Sequence, residues 1–182
     1  MKSILQAAFA LFASRGLKDV TIAEIANKAD VSQVSIYNFF QSKENLARQA
    51  LFAFMDEKMK ESVQVLESEI PFREKLESLL FITEEARDQS NPQFLFSMMD
   101  SDPLARQLMQ EYYHERTEPF ILRLVEQGQE QGAISRDLSI EAVRLYIQAL
   151  QGLLANPGLS RQARLEIDEL FFYGLQGKPR SA

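Results

Sequence analysis

Residues 21–43, with the sequence TIAEIANKADVSQVSIYNFFQSK, decide the fold class of this chain. Thr21 and Glu24 form the capping-box pattern, in which a hydroxyl and a carboxylate satisfy free backbone amides at the start of a helix. Asp30 follows this first segment, and Asp adopts a positive φ more readily than most residues do. Ser32 then caps a second segment with helical spacing of its apolar residues. The stretch therefore predicts two short helices joined by a tight turn, the outline of a helix-turn-helix.

The flanking sequence also predicts helices. Residues 3–14 form an amphipathic pattern that ends at Gly16, and although Lys2 and the apolar run after it resemble a signal peptide, Gln6 interrupts that run. The helix that begins near Asp102 contains Pro119, where we expect a kink or a break. The other predicted helices begin near Ser42, Pro71, Pro92, Ser139 and Ser160.

We therefore expect an all-α protein of about nine helices. A three-helix helix-turn-helix domain is predicted for residues 1–46 and a C-terminal helical bundle for residues 47–182.

Composition and charge limit the classes of function. The absence of cysteine excludes a disulfide framework and thiolate metal sites, and it is typical of a cytoplasmic protein. No apolar run approaches the roughly 18 residues that a membrane span needs. The net charge is −6, but residues 1–48 hold six basic and four acidic side chains, whereas the remainder holds 14 basic and 22 acidic ones. A weakly basic head on an acidic body favours approach to a polyanion through the head.

We call the second helix of the motif the recognition helix. It carries the kinds of side chain that are needed to contact DNA bases. The major groove is about 12 Å wide and accommodates one helix with its side chains. Small polar residues at the start of the helix, Ser32 and Ser35, allow a close approach. Gln33 and Asn38 offer paired donor and acceptor groups to adenine. The sequence therefore predicts a double-stranded DNA operator as a partner.

The same residues resemble the DNA-binding domain of the TetR family. The similarity extends from Ile4 to Leu46 and includes the runs 21–26, Val31-Ser32 and 36–46, which match a pattern of a Thr-capped helix, Val-Ser and Leu-Tyr-x-x-Phe-x-x-Lys-x-x-Leu. The resemblance implies one set of phosphate contacts and one set of base contacts. The phosphate contacts would be Thr21, Tyr37 and Lys43, and the base contacts Gln33, Ser35 and Asn38.

Two features of this motif qualify the resemblance. Val34 stands where many members carry Gly or another small residue, although an apolar side chain there can also contact DNA. Lys43 lies in the first turn of the fourth helix, where the helix dipole disfavours a cation, so its presence favours binding of an external anion. Each residue also has a structural alternative: Thr21 is a helix cap, Tyr37 can pack, and Phe39 is as compatible with the core as with the surface.

An aromatic and Met-rich cluster in the C-terminal half could line a pocket for an apolar effector. The candidate residues are Phe94, Met98, Met99, Tyr112, Tyr113 and Phe120. The alternative is an ordinary core, which such stripes more often form. The single histidine, His114, lies among glutamates on a solvated face, and we expect neither a metal nor a cofactor.

The last two predicted helices combine small residues with large apolar ones. The resemblance implies that they pair across a two-fold axis in a homodimer, with ordinary intrachain packing as the alternative. The candidate interface residues are Leu145, Ala149, Gly152, Leu153, Leu170, Phe171, Tyr173 and Gly174. A two-fold dimer would place two recognition helices about 34–36 Å apart, which implies a palindromic operator.

These features predict a ligand-responsive transcriptional regulator, a repressor that a small apolar or amphipathic effector releases from its operator. The alternative is a helical ligand-binding or scaffold protein without DNA-binding activity. An enzyme is not expected, because the sequence has no nucleophile with a paired base and no Gly-rich phosphate loop.

Overall fold

The structure is a computed structural model that describes residues 1–79, 102–154 and 158–176, and all regular structure in these ranges is helical. The all-α prediction is confirmed, while the helix predicted from Pro92 lies outside the described residues. No helix in these parts of the chain combines the length and apolar character that crossing a membrane requires. The helices are α1 (Lys2–Arg15), α2 (Ile22–Ala29), α3 (Gln33–Phe40), α4 (Lys43–Glu67), α5 (described over 72–79), α6 (Pro103–Tyr112), α7 (Glu118–Glu130), α8 (Ile140–Leu154) and α9 (Arg161–Gln176).

Serine caps hold the starts of three helices where the sequence predicted them. In each case the serine hydroxyl accepts a hydrogen bond from the backbone amide three residues later, at 3.0–3.1 Å. One orphan amide of the first turn is satisfied in this way. The three serines are Ser42, Ser139 and Ser160.

Pro119 interrupts the helix predicted from Asp102 to Gly132. A π-helical turn, Tyr113–Thr117, separates α6 from α7, and Pro119 lies in the first turn of α7. Proline has no amide hydrogen and its ring collides with the carbonyl of the residue four positions earlier. The α-helical hydrogen-bond ladder is therefore replaced by one π-helical turn, while the backbone stays helical from residue 103 to residue 130, so the chain does not break there.

The chain divides into two compact units. The head unit contains Met1–Val63 and Thr83–Glu115, of which 102–115 are described, and the body unit contains Gln64–Ile82 and Arg116–Ala182. These limits reflect which residues pack together, whereas the predicted boundary between residues 46 and 47 separates two functions. That boundary stays a prediction. α4 begins in the head unit and ends in the body unit.

In the head unit, α6 packs on the same core as the three helices of the motif. Ala105 and Leu108 are buried together with apolar residues of α1, α2, α3 and α4. A polar contact reinforces this packing, because the Arg48 guanidinium binds Glu111 at 3.1 Å and Glu115 at 2.6 Å. The helix-turn-helix therefore shares its core with a helix about 60 residues further along the chain.

In the body unit, two residues show how tightly the helices pack. A Cβ atom at Gly128 would stand 2.6 Å from both Phe72 and Ile134, so only glycine fits there. The buried Lys75 ammonium donates to the Leu66 carbonyl at 2.7 Å, near the C-terminal end of α4. A cation at this end satisfies a free carbonyl and complements the helix dipole.

Candidate nucleic-acid interface

Two inward side chains determine the orientation of the recognition helix α3. Ile36 and Phe40 are 1% and 0% exposed in the head-unit core. At the helix start, the Ser32 hydroxyl accepts a hydrogen bond from the Ser35 amide at 3.0 Å. Gln33 and Asn38 are exposed, as contact with base edges requires.

The other predicted DNA contacts are also accessible at this surface of the head unit. Of the eight predicted residues, Thr21, Ser32, Gln33, Val34, Tyr37 and Asn38 are exposed, whereas Ser35 and Lys43 are half-buried. The Lys43 ammonium donates to the Lys18 carbonyl at 3.3 Å, which places it beside the loop between α1 and α2. An ammonium has three N–H donors, so this bond does not exhaust its capacity for an anion.

Thr21 is held in the capping box that the sequence predicted. The Glu24 amide donates to the Thr21 hydroxyl at 3.3 Å, and the Thr21 amide donates to the Glu24 carboxylate at 2.8 Å. The Thr21 hydroxyl in turn donates to the same carboxylate at 2.8 Å. A phosphate contact by this hydroxyl therefore requires exchange of its hydrogen bond with Glu24, whereas the cap is independent of DNA.

Glu24 also connects the motif to α1. The Arg15 guanidinium donates to its carboxylate at 2.7 Å, and this hydrogen bond, followed by those from Thr21, lowers the pKa of Glu24 from 4.5 to about 2. The carboxylate is thus ionised in the folded protein at pH values where the unfolded chain binds a proton.

Phe39 is the surface residue that the sequence left undecided. It is 59% exposed, beside Val34 at 67% and Tyr37 at 51% on the same short helix. The helical period contained a signal for this outcome. Since Ile36 and Phe40 already occupy the inward face, Phe39 lies to one side of it, about 60° from Ile36 and about 100° from Phe40 around the helix.

The predicted effector pocket is only partly within the described residues. Phe94, Met98 and Met99 lie outside them. Tyr112 is 1% exposed and packs edge-on against Phe52, with ring centroids 5.0 Å apart. Tyr113 and Phe120 are half-buried. The pocket stays a prediction, and the packing of Tyr112 is that of a core residue.

The predicted dimer residues on α8 and α9 form a largely exposed apolar surface. Leu145, Leu153, Leu170 and Tyr173 are 48–71% exposed, and Ala149 and Gly174 are also exposed. Of Gly152 only the helical backbone is described.

Phe171 differs from the rest of this set, because it is buried within the chain. It is 7% exposed and stacks on Tyr146, with ring centroids 5.6 Å apart. A Cβ atom at Gly174 would stand 3.0 Å from the Tyr146 hydroxyl, so the small residue allows α8 and α9 to approach closely. Phe171 therefore joins the two helices within one chain.

Large apolar side chains are exposed in two places. Among the described residues ten are exposed, of which three lie on α3 and six on α8 and α9. Soluble monomers seldom expose contiguous apolar surface, so both places are candidates for contact with a partner.

Replacing Glu24 with Gln should change how the free energy of unfolding depends on pH. In the wild-type protein the contribution of this carboxylate is fully present above pH 4.5 and is lost as the pH falls towards about 2, because folding lowers its pKa. In urea unfolding between pH 5 and 2, the free energy of unfolding of the Gln variant should therefore fall less than that of the wild type. The matched variant Glu44→Gln, which removes an exposed carboxylate outside the capping box, should show the wild-type decline. An equal decline in Glu24→Gln and wild type would contradict the assignment.

Comparison with known proteins agrees with this geometry. A model of bacterial regulatory proteins of the tetR family matches residues 4–50. The HTH-type transcriptional repressor KstR2 of Mycobacterium tuberculosis H37Rv is 28% identical over 148 residues, which cover 80% of this chain and 74% of that protein. The uncharacterized HTH-type transcriptional regulator YhgD of Bacillus subtilis is 33% identical over 86 residues, 47% of this chain and 45% of that one.

Solved structures share the fold along almost the entire chain. The fatty acid degradation regulator FadR from Bacillus halodurans superposes with a TM-score of 0.68 at 16% identity, covering 98% of this chain and 99% of that one. FadR from Bacillus subtilis in complex with stearoyl-CoA gives 0.66 at 16% identity and 96% coverage of both chains. The N-terminal match, the helix-turn-helix geometry and the all-helical fold lead to one conclusion: residues 4–50 of this chain are similar to the helix-turn-helix domain of the TetR family of bacterial regulatory proteins.

Proposed function

We propose that this protein is a transcriptional repressor that binds a palindromic operator as a homodimer and is released by a small apolar or amphipathic effector. The observation that carries this proposal is the outward edge of α3. Asn38 is exposed there opposite the buried Ile36 and Phe40, and Gln33 is exposed in the first turn of the helix. The similarity to proteins named transcriptional repressors supports the direction of control.

The DNA contacts follow from the chemistry of each side chain. The amides of Gln33 and Asn38 can each donate to and accept from one adenine in the major groove. Tyr37 and Lys43 would contact phosphates at the edges of the groove through a hydroxyl and an ammonium. The phosphate contacts position the helix, and the base contacts provide sequence preference.

Removing the side chains of Tyr37 and Lys43 together should abolish tight operator binding. The double variant Tyr37→Ala, Lys43→Ala should bind DNA selected from the host genome at least about tenfold more weakly, because neither subunit can then hold the phosphates through these two groups. The slope of log K against log salt should fall by about 0.9 for each phosphate that a lysine no longer neutralises. Fluorescence anisotropy at several salt concentrations measures both quantities.

Lys60→Ala is the matched control for this measurement. Lys60 is an exposed lysine on α4, 17 residues after Lys43, or about 25 Å along the helix, and its removal should leave affinity and slope unchanged. Unaltered binding by the double variant would reject the assignment of this motif to DNA. It would favour a helical ligand-binding or scaffold protein instead.

The exposed apolar surface of α8 and α9 supports the homodimer. Leu170 and Tyr173 are 66% and 71% exposed, and Leu145 and Leu153 on α8 are 51% and 48% exposed. A self-complementary surface of this kind suits a two-fold interface. Two recognition helices about one DNA turn apart would then contact the two halves of a palindrome.

Two charges on this surface should dissociate the dimer. Leu170→Lys with Tyr173→Lys would require two ammonium groups per subunit to leave water, so sedimentation velocity should show a monomer. Val34→Lys with Phe39→Lys is the matched control, since it places the same two charges at similarly exposed apolar sites on α3 and should preserve the dimer. A double variant that still sediments as a dimer would contradict this interface.

The effector would act by binding two states of the protein with different affinity, because a ligand with equal affinity for both shifts no equilibrium. The structural neighbour FadR from Bacillus subtilis is in complex with stearoyl-CoA, so this fold accommodates an amphipathic ligand in that protein.

An effector identified by thermal shift, with stearoyl-CoA as the first probe, should bind at least about tenfold more weakly when operator DNA saturates the protein. Isothermal titration with and without operator measures this ratio, and a scrambled duplex of equal length is the control. Equal affinities in both titrations would reject release by that effector.

A further inference from the structure

The centre of the outward face of α3 combines an amide with an apolar side chain. At about 100° per residue, positions 34 and 38 lie about 160° and 200° around the helix from Ile36, opposite the buried face. Val34 is 67% exposed, more than Tyr37 or Phe39, and Asn38 is exposed one turn later. Residues four apart on a helix are neighbours, so the two side chains present one continuous surface.

An isopropyl group at this position cannot form a hydrogen bond, and it gains free energy only by covering apolar surface. The edges of the bases in the major groove expose one apolar substituent, the C5 methyl group of thymine. A helix that enters the groove with this face towards the bases would therefore place Val34 against a thymine methyl whenever the sequence supplies one.

We propose that Val34 contacts the C5 methyl group of a thymine, so that each operator half-site contains a specific thymine next to the adenine that Asn38 contacts. This proposal rests on the proposed function, since it concerns the same DNA-binding surface. It assigns to Val34 a sequence preference that polar side chains alone would not provide. The preferred half-site would have A·T pairs at two neighbouring positions.

Phe39 is another exposed apolar side chain on α3, so the test must distinguish its effect on binding from that of Val34. It is 59% exposed, but it lies about 60° from Ile36 around the helix and therefore faces a wall of the groove rather than its floor. Its ring would meet the sugar-phosphate backbone, which is the same for every sequence. Phe39 is thus the matched apolar control on the same helix.

The test uses thymine-to-deoxyuridine substitution, which removes the methyl group and leaves every hydrogen-bonding group of the base in place. Full-length protein first selects duplexes from a random library, and each thymine of one selected half-site is then replaced singly. At one position deoxyuridine should weaken wild-type binding by about fourfold, the value of one buried methyl group. In Val34→Ala the ratio at that position should fall to about one, while Phe39→Ala should keep the wild-type ratio.

Folding does not limit this test, because alanine at an exposed helical position favours the helix over valine. If no thymine responds to loss of its methyl group, or if the response survives in Val34→Ala, the proposal for Val34 is wrong. In both cases binding that depends on Tyr37 and Lys43 would leave the proposed function intact. If no duplex is selected from the library, both proposals fail.

Discussion

The packing of Ile36 and Phe40 into the head-unit core is the contact on which the proposed DNA-binding surface depends. These two side chains are the buried residues of an eight-residue helix, and each contributes about 1.5–3 kcal/mol through burial. Being four residues apart, they determine the rotation of the helix about its axis. A rotation by one residue would turn Tyr37 inward and remove Asn38 from the centre of the outward face.

The remainder of the head unit fixes the position of this helix. The capping box of Thr21 and Glu24, with the ion pair from Arg15, ties the start of α2 to α1. Ala105 and Leu108 of α6 complete the core, so this core includes a helix from the second half of the chain. The orientation of α3 therefore depends on local caps and on contacts between residues distant in sequence.

The protein exposes large apolar side chains in two places with different physical settings. On α3 they alternate with amides and hydroxyls, which suits a groove that presents methyl groups among hydrogen-bonding edges. On α8 and α9, Leu145, Leu170 and Tyr173 form an apolar surface that suits a second copy of the same surface. The proposed dimer and the proposed DNA contacts thus use separate surfaces.

The sequence by itself determined the serine-capped helix starts, the turn at Asp30 and the interruption of the α-helical hydrogen bonds near Pro119, because each depends on hydrogen bonds or steric contacts between residues a few positions apart. The φ of 55° at Asp30 and the three serine caps agree with that local chemistry. Only the tertiary structure decided that Phe171 is buried against Tyr146 and that α6 joins the head unit. Burial depends on which helices meet across long separations in sequence, and two neighbouring aromatic residues have the same local preferences whether they face the core or the solvent.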